Sequence, residues 1–223
     1  MSSEKRKKKK RTRVRWGKLL LWILGVLGGI ALTALVLSRL FPADLTVSDN
    51  APAYVKTMYL SKNPYSRPAE KLTEVKNIVI HYVGNPGTSA EANRNYFNNL
   101  QNPLANPEGT KASAHFIVGL EGEIIQCIPT TEIAYANYPR NYDTVSVEVC
   151  HPDDTGEFTE VTRASVVKLT ADLLKSYGLS ADDVIRHYDV SGKLCPKYYA
   201  EHEEAWLLLK EEIRAEMNRT NEE

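Results

Sequence analysis

Residues 187–196 (HYDVSGKLCP), read together with the earlier run 77–82 (NIVIHY), indicate how this chain folds. His81 lies near the end of an apolar run, which is typical of a buried strand that delivers a polar side chain at its end. His187 ends a similar run, VIRH. We therefore predict that the fold brings the two histidines together with Cys195, although more than 100 residues separate His81 from the other two.

Two imidazoles and a thiolate are a ligand set for zinc. They fill three corners of a tetrahedron and leave the fourth open for water, which is how catalytic zinc is held. The alternative is that each histidine is a hydrogen-bonded core residue and that Cys195 is a small buried apolar residue. We predict a Zn²⁺ ion bound by His81, His187 and Cys195.

The remaining pattern alternates strand-like and helix-like runs, which predicts a sheet covered by helices. Apolar periodicity and capping residues predict a helix that begins near Ser89, a second over 163–177 capped by Thr162, and a third over 201–218. The predicted strands are 77–82, 115–119, 123–128, 145–151 and 183–187.

The first 40 residues differ sharply from the rest. A basic run over 5–15 precedes residues 19–38, a stretch of 20 residues without a charge that is long enough to cross a bilayer as a helix. A cleaved signal peptide is the alternative, but residues 42–44 (PAD) form a poor cleavage site. We predict a cell-membrane protein with its domain outside. The predicted segments are a basic cytoplasmic segment 1–18, a transmembrane signal anchor 19–38, an extracellular linker 39–70 and a globular domain 71–218.

The neutral formal charge of the whole chain hides a strong asymmetry. Residues 1–40 hold 11 of the 28 Lys and Arg but only one of the 28 Asp and Glu, so the remainder has 17 basic and 27 acidic residues, a formal charge of −10. Such a domain has no basic face suited to nucleic acid. We predict no nucleic-acid partner, and the sequence defines no protein partner.

Three cysteines cannot all pair with one another. If Cys195 binds metal, Cys127 and Cys150 remain, each inside a strand-like run. They form a disulfide or stay buried thiols, and sequence does not establish the close approach of Cα atoms that a disulfide needs. We favour buried thiols.

Four blocks of the sequence resemble the type 2 family of zinc-dependent N-acetylmuramoyl-L-alanine amidases, which shares its fold with peptidoglycan-recognition proteins. The resemblance covers about residues 70–215 in the family's order and spacing. It implies a single α/β domain with a central mixed β-sheet flanked by helices and with zinc in a groove on one side. The blocks are 78–87 (IVIHYVGNPG), 113–119 (SAHFIVG), 145–153 (VSVEVCHPD) and 183–197 (DVIRHYDVSGKLCPK).

The resemblance also implies catalytic roles for Glu148 and Lys193. Strand alternation places Glu148 on the face opposite the neighbouring valines, where a buried carboxylate is costly unless it faces a polar groove. Glu148 would act as the general base and Lys193 would stabilise the oxyanion. The alternatives from pattern alone are a solvated strand glutamate and an ordinary surface lysine. Some relatives have a catalytic tyrosine at the position of Ala114. The absence of that tyrosine here favours Glu148 as the catalytic base.

Four further residues are candidates for contact with sugar or peptide: Tyr82, Asn85, Asn93 and His151. His115 is expected to be structural or to support a ligand. The resemblance implies hydrolysis of the amide between N-acetylmuramic acid and L-alanine, with peptidoglycan as the partner. One alternative is a peptidoglycan-binding module that does not cleave. Another is a cysteine hydrolase that uses Cys195 with His187.

Overall fold

The structure is a computed structural model that describes residues 17, 20, 22–29, 32–33 and 47–219. The chain forms two units, Met1–Asp44 and Leu45–Glu223. In the first unit residues 22–29 are helical, and the large apolar side chains among them are exposed. No helix in the described parts of the chain is both long and apolar enough to cross a membrane. The predicted segment 1–18, apart from residue 17, lies outside those parts, and so do nine of the 20 residues of the predicted span 19–38, so the anchor stays a prediction.

A six-stranded sheet forms the centre of the second unit. The strands are β1 (Lys56–Thr57), β2 (Asn77–Ile80), β3 (Phe116–Val118), β4 (Ile124–Gln126), β5 (Thr144–Val149) and β6 (Val184–Arg186). Their order in the sheet is β1-β4-β3-β5-β2-β6, and among these strands β3 and β4 are antiparallel while the other neighbours run parallel. The predicted mixed sheet is confirmed. Each predicted strand is present and shorter than predicted, although β5 begins one residue earlier than the predicted 145.

Helices cover both faces of this sheet. The described α-helices of this unit are α1 (Ala90–Asn99), α2 (Glu160–Tyr177), α3 (His187–Ser191), α4 (Lys197–Glu201) and α5 (Glu203–Arg219). Ser89 caps α1 as predicted. The cap of α2 is Thr159 and not Thr162, because the Thr162 hydroxyl lies inside the first turn and bonds to the Gly119 carbonyl at 3.1 Å.

Two apolar clusters hold the layers together, one on each face of the sheet. The first joins alternate residues of the strands to α2 and α5, and it includes Val145, Val147, Leu169, Leu173, Leu209 and Ile213, all fully buried. The second lies under α1 and includes Ile117, Ile125, Cys127, Cys150 and Phe97. Both faces of the central strands are therefore buried. All three cysteines, which fall within 47–219, are free buried thiols, as predicted for Cys127 and Cys150.

The predicted linker 39–70 is packed on the domain over its described part, from residue 47 onward. β1 pairs with β4, Leu60 is only 1% exposed, and the Arg67 guanidinium donates to the Glu132 carboxylate at 2.7 and 2.8 Å. Within this stretch a turn at residues 53–54 leads into β1. The structure therefore corrects the linker prediction, and the domain begins before residue 71.

Candidate active site

His81, His187 and Cys195 converge at one end of the sheet. His81 directly follows β2, and His187 follows β6 as the first residue of α3. Because β2 and β6 are parallel neighbours, their carboxyl ends lie side by side, which is where open α/β sheets commonly place ligands. The two imidazole centroids are 4.6 Å apart, and Cys195 Sγ lies 3.6 Å from His81 Nδ1. One donor atom from each of the three residues lies within 4.8 Å of the others.

The donor set fits a tetrahedral metal ion. Zinc bonds of the usual length place neighbouring ligand atoms about 3.5 Å apart, so the observed separations need only a small contraction. His187 Nδ1 is buried and has no hydrogen-bond partner among the described residues. A buried nitrogen without a hydrogen-bond partner destabilises the fold unless another group binds it. A cation at the centre of the cluster would supply that partner.

Burial favours the uncharged forms of His81, His187 and Cys195 in the metal-free cluster. Burial, together with repulsion from His187, lowers the pKa of His81 to about 3. Burial lowers the pKa of His187 as well, and the nearby Lys193 ammonium adds to this effect. Burial and the neighbouring Glu148 raise the pKa of the Cys195 thiol to about 12. A thiol with this pKa is a poor nucleophile, which argues against a cysteine hydrolase, whereas a bound cation favours the thiolate.

Glu148 joins the cluster from β5. Its side chain is 15% exposed, and Oε1 lies 3.9 Å from His81 Nδ1. The other oxygen, Oε2, is buried with no hydrogen-bond partner in the described part of the chain. Burial raises the pKa of this carboxyl to about 8, although the Lys193 ammonium opposes the rise. Glu148 is therefore not a solvated residue on an outer strand, and its pKa suits proton transfer near neutral pH.

A cleft of about 410 Å³ opens onto the cluster. Lys193 and Tyr82 line it, and Lys193 is exposed. Other parts of the lining come from α1, from the segment before β3 and from the segment between β4 and β5. The residues that line the cleft besides the cluster, Lys193 and Tyr82 are Val83, Gly84, Asn93, Tyr96, Phe97, Lys111, Ala112, Ser113, Tyr135 and Ala136.

Comparison with known proteins agrees with this arrangement. Residues 71–198, more than half of the chain, match the family profile described as N-acetylmuramoyl-L-alanine amidase. The chain belongs to this amidase family. The match includes all three ligands of the cluster as well as Glu148 and Lys193.

Individual proteins are also similar to this chain over part of their length. The chain is 40% identical over 150 residues to a Bacillus licheniformis protein named as a probable N-acetylmuramoyl-L-alanine amidase, and 32% identical over 181 residues to the amidase BlyA of Bacillus subtilis strain 168. The alignments take in 62% and 72% of this chain but 41% and 47% of those relatives, so the chain spans less than half their length. The solved catalytic domain of XlyA superposes with a TM-score of 0.58 at 26% identity, over 71% of this chain and 98% of that domain.

The amidase-family site does not include every residue that the sequence suggested. His151 is buried but does not line the cleft; its Nδ1 bonds to the Asp153 carbonyl and its ring packs on Tyr82 at 5.0 Å. Asn85 is exposed and also lies outside the lining. Asn93 reaches the cleft, but its amide donates to Thr88 and to the Ser89 carbonyl, which anchors the start of α1.

His115 is structural. Its Nε2 bonds to the Glu132 carbonyl at 2.9 Å, and its Nδ1 accepts from the Ser146 backbone amide at 3.0 Å. Both nitrogens are satisfied away from the cluster, as expected from the sequence.

The amidase-family site also contains residues that sequence reasoning missed. Asn137 Oδ1 lies 2.7 Å from His81 Nε2, and Asn137 is buried. It lies 56 positions from His81 in a loop without a recognisable pattern. Tyr96, Lys111 and Tyr135 also face the cleft. Of these three residues, only Tyr96 had a signal in the sequence, because it lies on the predicted helix α1.

Proposed function

We propose that this chain hydrolyses the amide between N-acetylmuramic acid and L-alanine in peptidoglycan, with a zinc ion held by His81, His187 and Cys195. The observation that carries the proposal is the meeting of three metal-ligating side chains with an unpaired, buried carboxylate at one cleft. Membership of the amidase family supports the choice of bond. A zinc ion bound there supplies Lewis acidity, which activates water and polarises an amide carbonyl.

Glu148 transfers the protons in this reaction. Its buried Oε2 is free to accept a proton from the attacking water, and the same oxygen can return that proton to the departing amine of L-alanine. The raised pKa supports both halves of this cycle, because a carboxyl that titrates near neutral pH accepts and releases a proton with little cost.

Lys193 stabilises the negative charge that develops on the carbonyl oxygen. Its side chain lines the cleft, and its charge acts on Glu148, His81 and His187. A cation already positioned at the site of charge development lowers the barrier without reorganisation during the reaction. Tyr82 and Asn93 line the same cleft and contact the sugar or the stem peptide.

A Glu148→Gln variant of the full chain tests the proposal. The amide side chain keeps the size of the carboxylate but accepts no proton, so we expect zinc content to stay at one per chain while release of stem peptides from peptidoglycan falls by roughly 10²-fold or more. The control is Glu108→Gln, an exposed glutamate outside the cleft, which should keep full activity. Binding of peptidoglycan without any release by the wild-type chain would favour the non-catalytic module instead.

We also propose that residues 19–38 anchor the protein in the cell membrane with the domain outside. The support is the charge-free span, the basic run before it, and the exposed apolar side chains of helical residues 22–29. Protease added to wall-stripped cells should remove the domain and leave a small membrane-bound stub. A protected domain would reverse the orientation, and a mature N-terminus near residue 44 in the medium would indicate a cleaved signal.

A further inference from the structure

The side chain of Asn137 contacts the outer nitrogen of His81, on the side of the ring that faces away from the cluster. We propose that Asn137 is a positioning residue that fixes the tautomer of His81, so that Nδ1 presents its lone pair to the metal. This inference rests on the proposed zinc site, and it concerns a residue that does not itself touch metal or substrate.

The hydrogen-bond chain behind Asn137 determines which way its amide points. The Thr144 hydroxyl donates its one proton to the Arg140 carbonyl at 2.7 Å. It can therefore only accept at its contact with Asn137, where Nδ2 lies 2.8 Å away and donates. The amide oxygen of Asn137 must then face His81.

The orientation of the amide sets the proton on the imidazole. An amide oxygen accepts and cannot donate, so the 2.7 Å contact requires a proton on His81 Nε2. In a neutral imidazole the other nitrogen then carries the lone pair. That nitrogen, Nδ1, is the one that lies 3.6 Å from Cys195 Sγ. Without Asn137 either tautomer is available, and one of them presents an N–H to the metal.

Two further contacts hold Asn137 in place. Its backbone amide donates to Asn141 Oδ1 at 2.7 Å, and the same oxygen accepts from the Ala136 amide at 3.2 Å. Asn137 is 1% exposed, so no water competes at the His81 contact. Partners of this kind on metal-ligating histidines commonly contribute 10- to 100-fold to metal affinity.

The first experiment measures the tautomer directly. Long-range ¹H–¹⁵N correlation spectra of the metal-free full chain at neutral pH should show His81 protonated on Nε2. The Asn137→Leu variant should show a mixture of the two tautomers. Protonation of His81 on Nδ1 in the metal-free wild type would overturn the inference, whether or not the chain binds zinc.

The second experiment measures zinc affinity by competition with a chelator. Asn137→Leu should weaken binding by about 10- to 100-fold, Thr144→Val should weaken it less, and Asn137→Asp, which keeps an acceptor oxygen, should restore it. The matched control is Asn106→Leu, a buried asparagine with three hydrogen bonds in the loop after α1, outside the cleft. Equal losses in the Asn137→Leu and Asn106→Leu variants would overturn the inference. A wild-type chain that binds no zinc would overturn the proposed function, and the tautomer measurement would still decide the role of Asn137.

Discussion

Arg186 connects the strand that precedes His187 to the C-terminal helices. Its replacement tests how much these contacts contribute to the free energy of unfolding. The guanidinium is buried, and it donates to Asp189, to the Tyr199 carbonyl at 2.9 Å and to Glu203 at 2.6 Å. Its Cζ atom lies 5.3 Å from the centre of the Trp206 ring. Arg186→Met keeps the aliphatic stem and removes only the charged end.

The expected loss of stability follows from how exposed the hydrogen-bond partners of Arg186 are. The Asp189 side chain is 31% exposed and that of Glu203 is 61% exposed, so both carboxylates regain water when the guanidinium is lost. Hydrogen bonds to such groups contribute about 1 kcal/mol each, and the buried Tyr199 carbonyl loses about 1 kcal/mol more. Relief of the desolvated guanidinium offsets about 1 kcal/mol of this loss. We expect the free energy of unfolding to fall by about 2 kcal/mol, or the midpoint by roughly 4–8 °C.

Thermal unfolding with a chelator present measures this loss without a contribution from metal. The matched control is Arg214→Met, because Arg214 on α5 also forms two ion pairs but is 40% exposed, and its midpoint should stay at the wild-type value. An Arg186→Met variant as stable as wild type would refute the reasoning. It would show that desolvation of the buried guanidinium cancels its interactions, as occurs for some buried ion pairs.

Three further predictions concern the ligands, the oxyanion and acid stability. Cys195→Ala should no longer bind one zinc per chain. Zinc at 100 times its dissociation constant should raise the free energy of unfolding of wild type by roughly 2.7 kcal/mol but should not raise that of the variant. Zinc retained by the variant would remove Cys195 from the ligand set. Lys193→Ala should lower turnover by roughly 10²–10³-fold, with Lys168→Ala, on α2, as the control; equal losses would show that the effect is not local. Burial opposes ionisation of Asp49, but hydrogen bonds from Thr130, Gln126 and Tyr59 outweigh it and hold its pKa below 3.8. This lowered pKa contributes stability above pH 3.8 that is lost as the pH falls further, so urea unfolding of Asp49→Asn and wild type should converge in acid.

The sequence predicted the parts of the fold that follow a simple period. The five longer strands show an apolar run or apolar alternation, the three longer helices show a helical face, and all eight are present. β1 was missed because it is two residues long and its exposed residues carry no pattern. α3 and α4 were missed because five residues give too few turns for a periodic signal.

The same distinction applies to the candidate site: residues next to a periodic element could be predicted, and residues in irregular loops could not. His81 and His187 could be predicted to meet because each follows an apolar strand, and residue type gave the metal chemistry. Asn137 could not be predicted, because its role depends on a loop conformation and not on a period. The place of His151 beside the cleft could not be predicted for a related reason. It follows β5, the strand of Glu148, but the chain turns there and its Nδ1 bonds to the Asp153 carbonyl.

The position of the ligands along the chain determines when the site can exist. His81 follows β2, the second strand along the chain, whereas His187 and Cys195 follow the last strand, β6. A domain that leaves the ribosome or an export channel in sequence order therefore exposes one imidazole long before the other two donors appear. A single imidazole holds zinc weakly, and unfolded chains rarely offer a preformed site. On the proposed zinc site, metal would therefore bind only after β6 has paired with β2, and zinc retention would report that this late part of the sheet has formed.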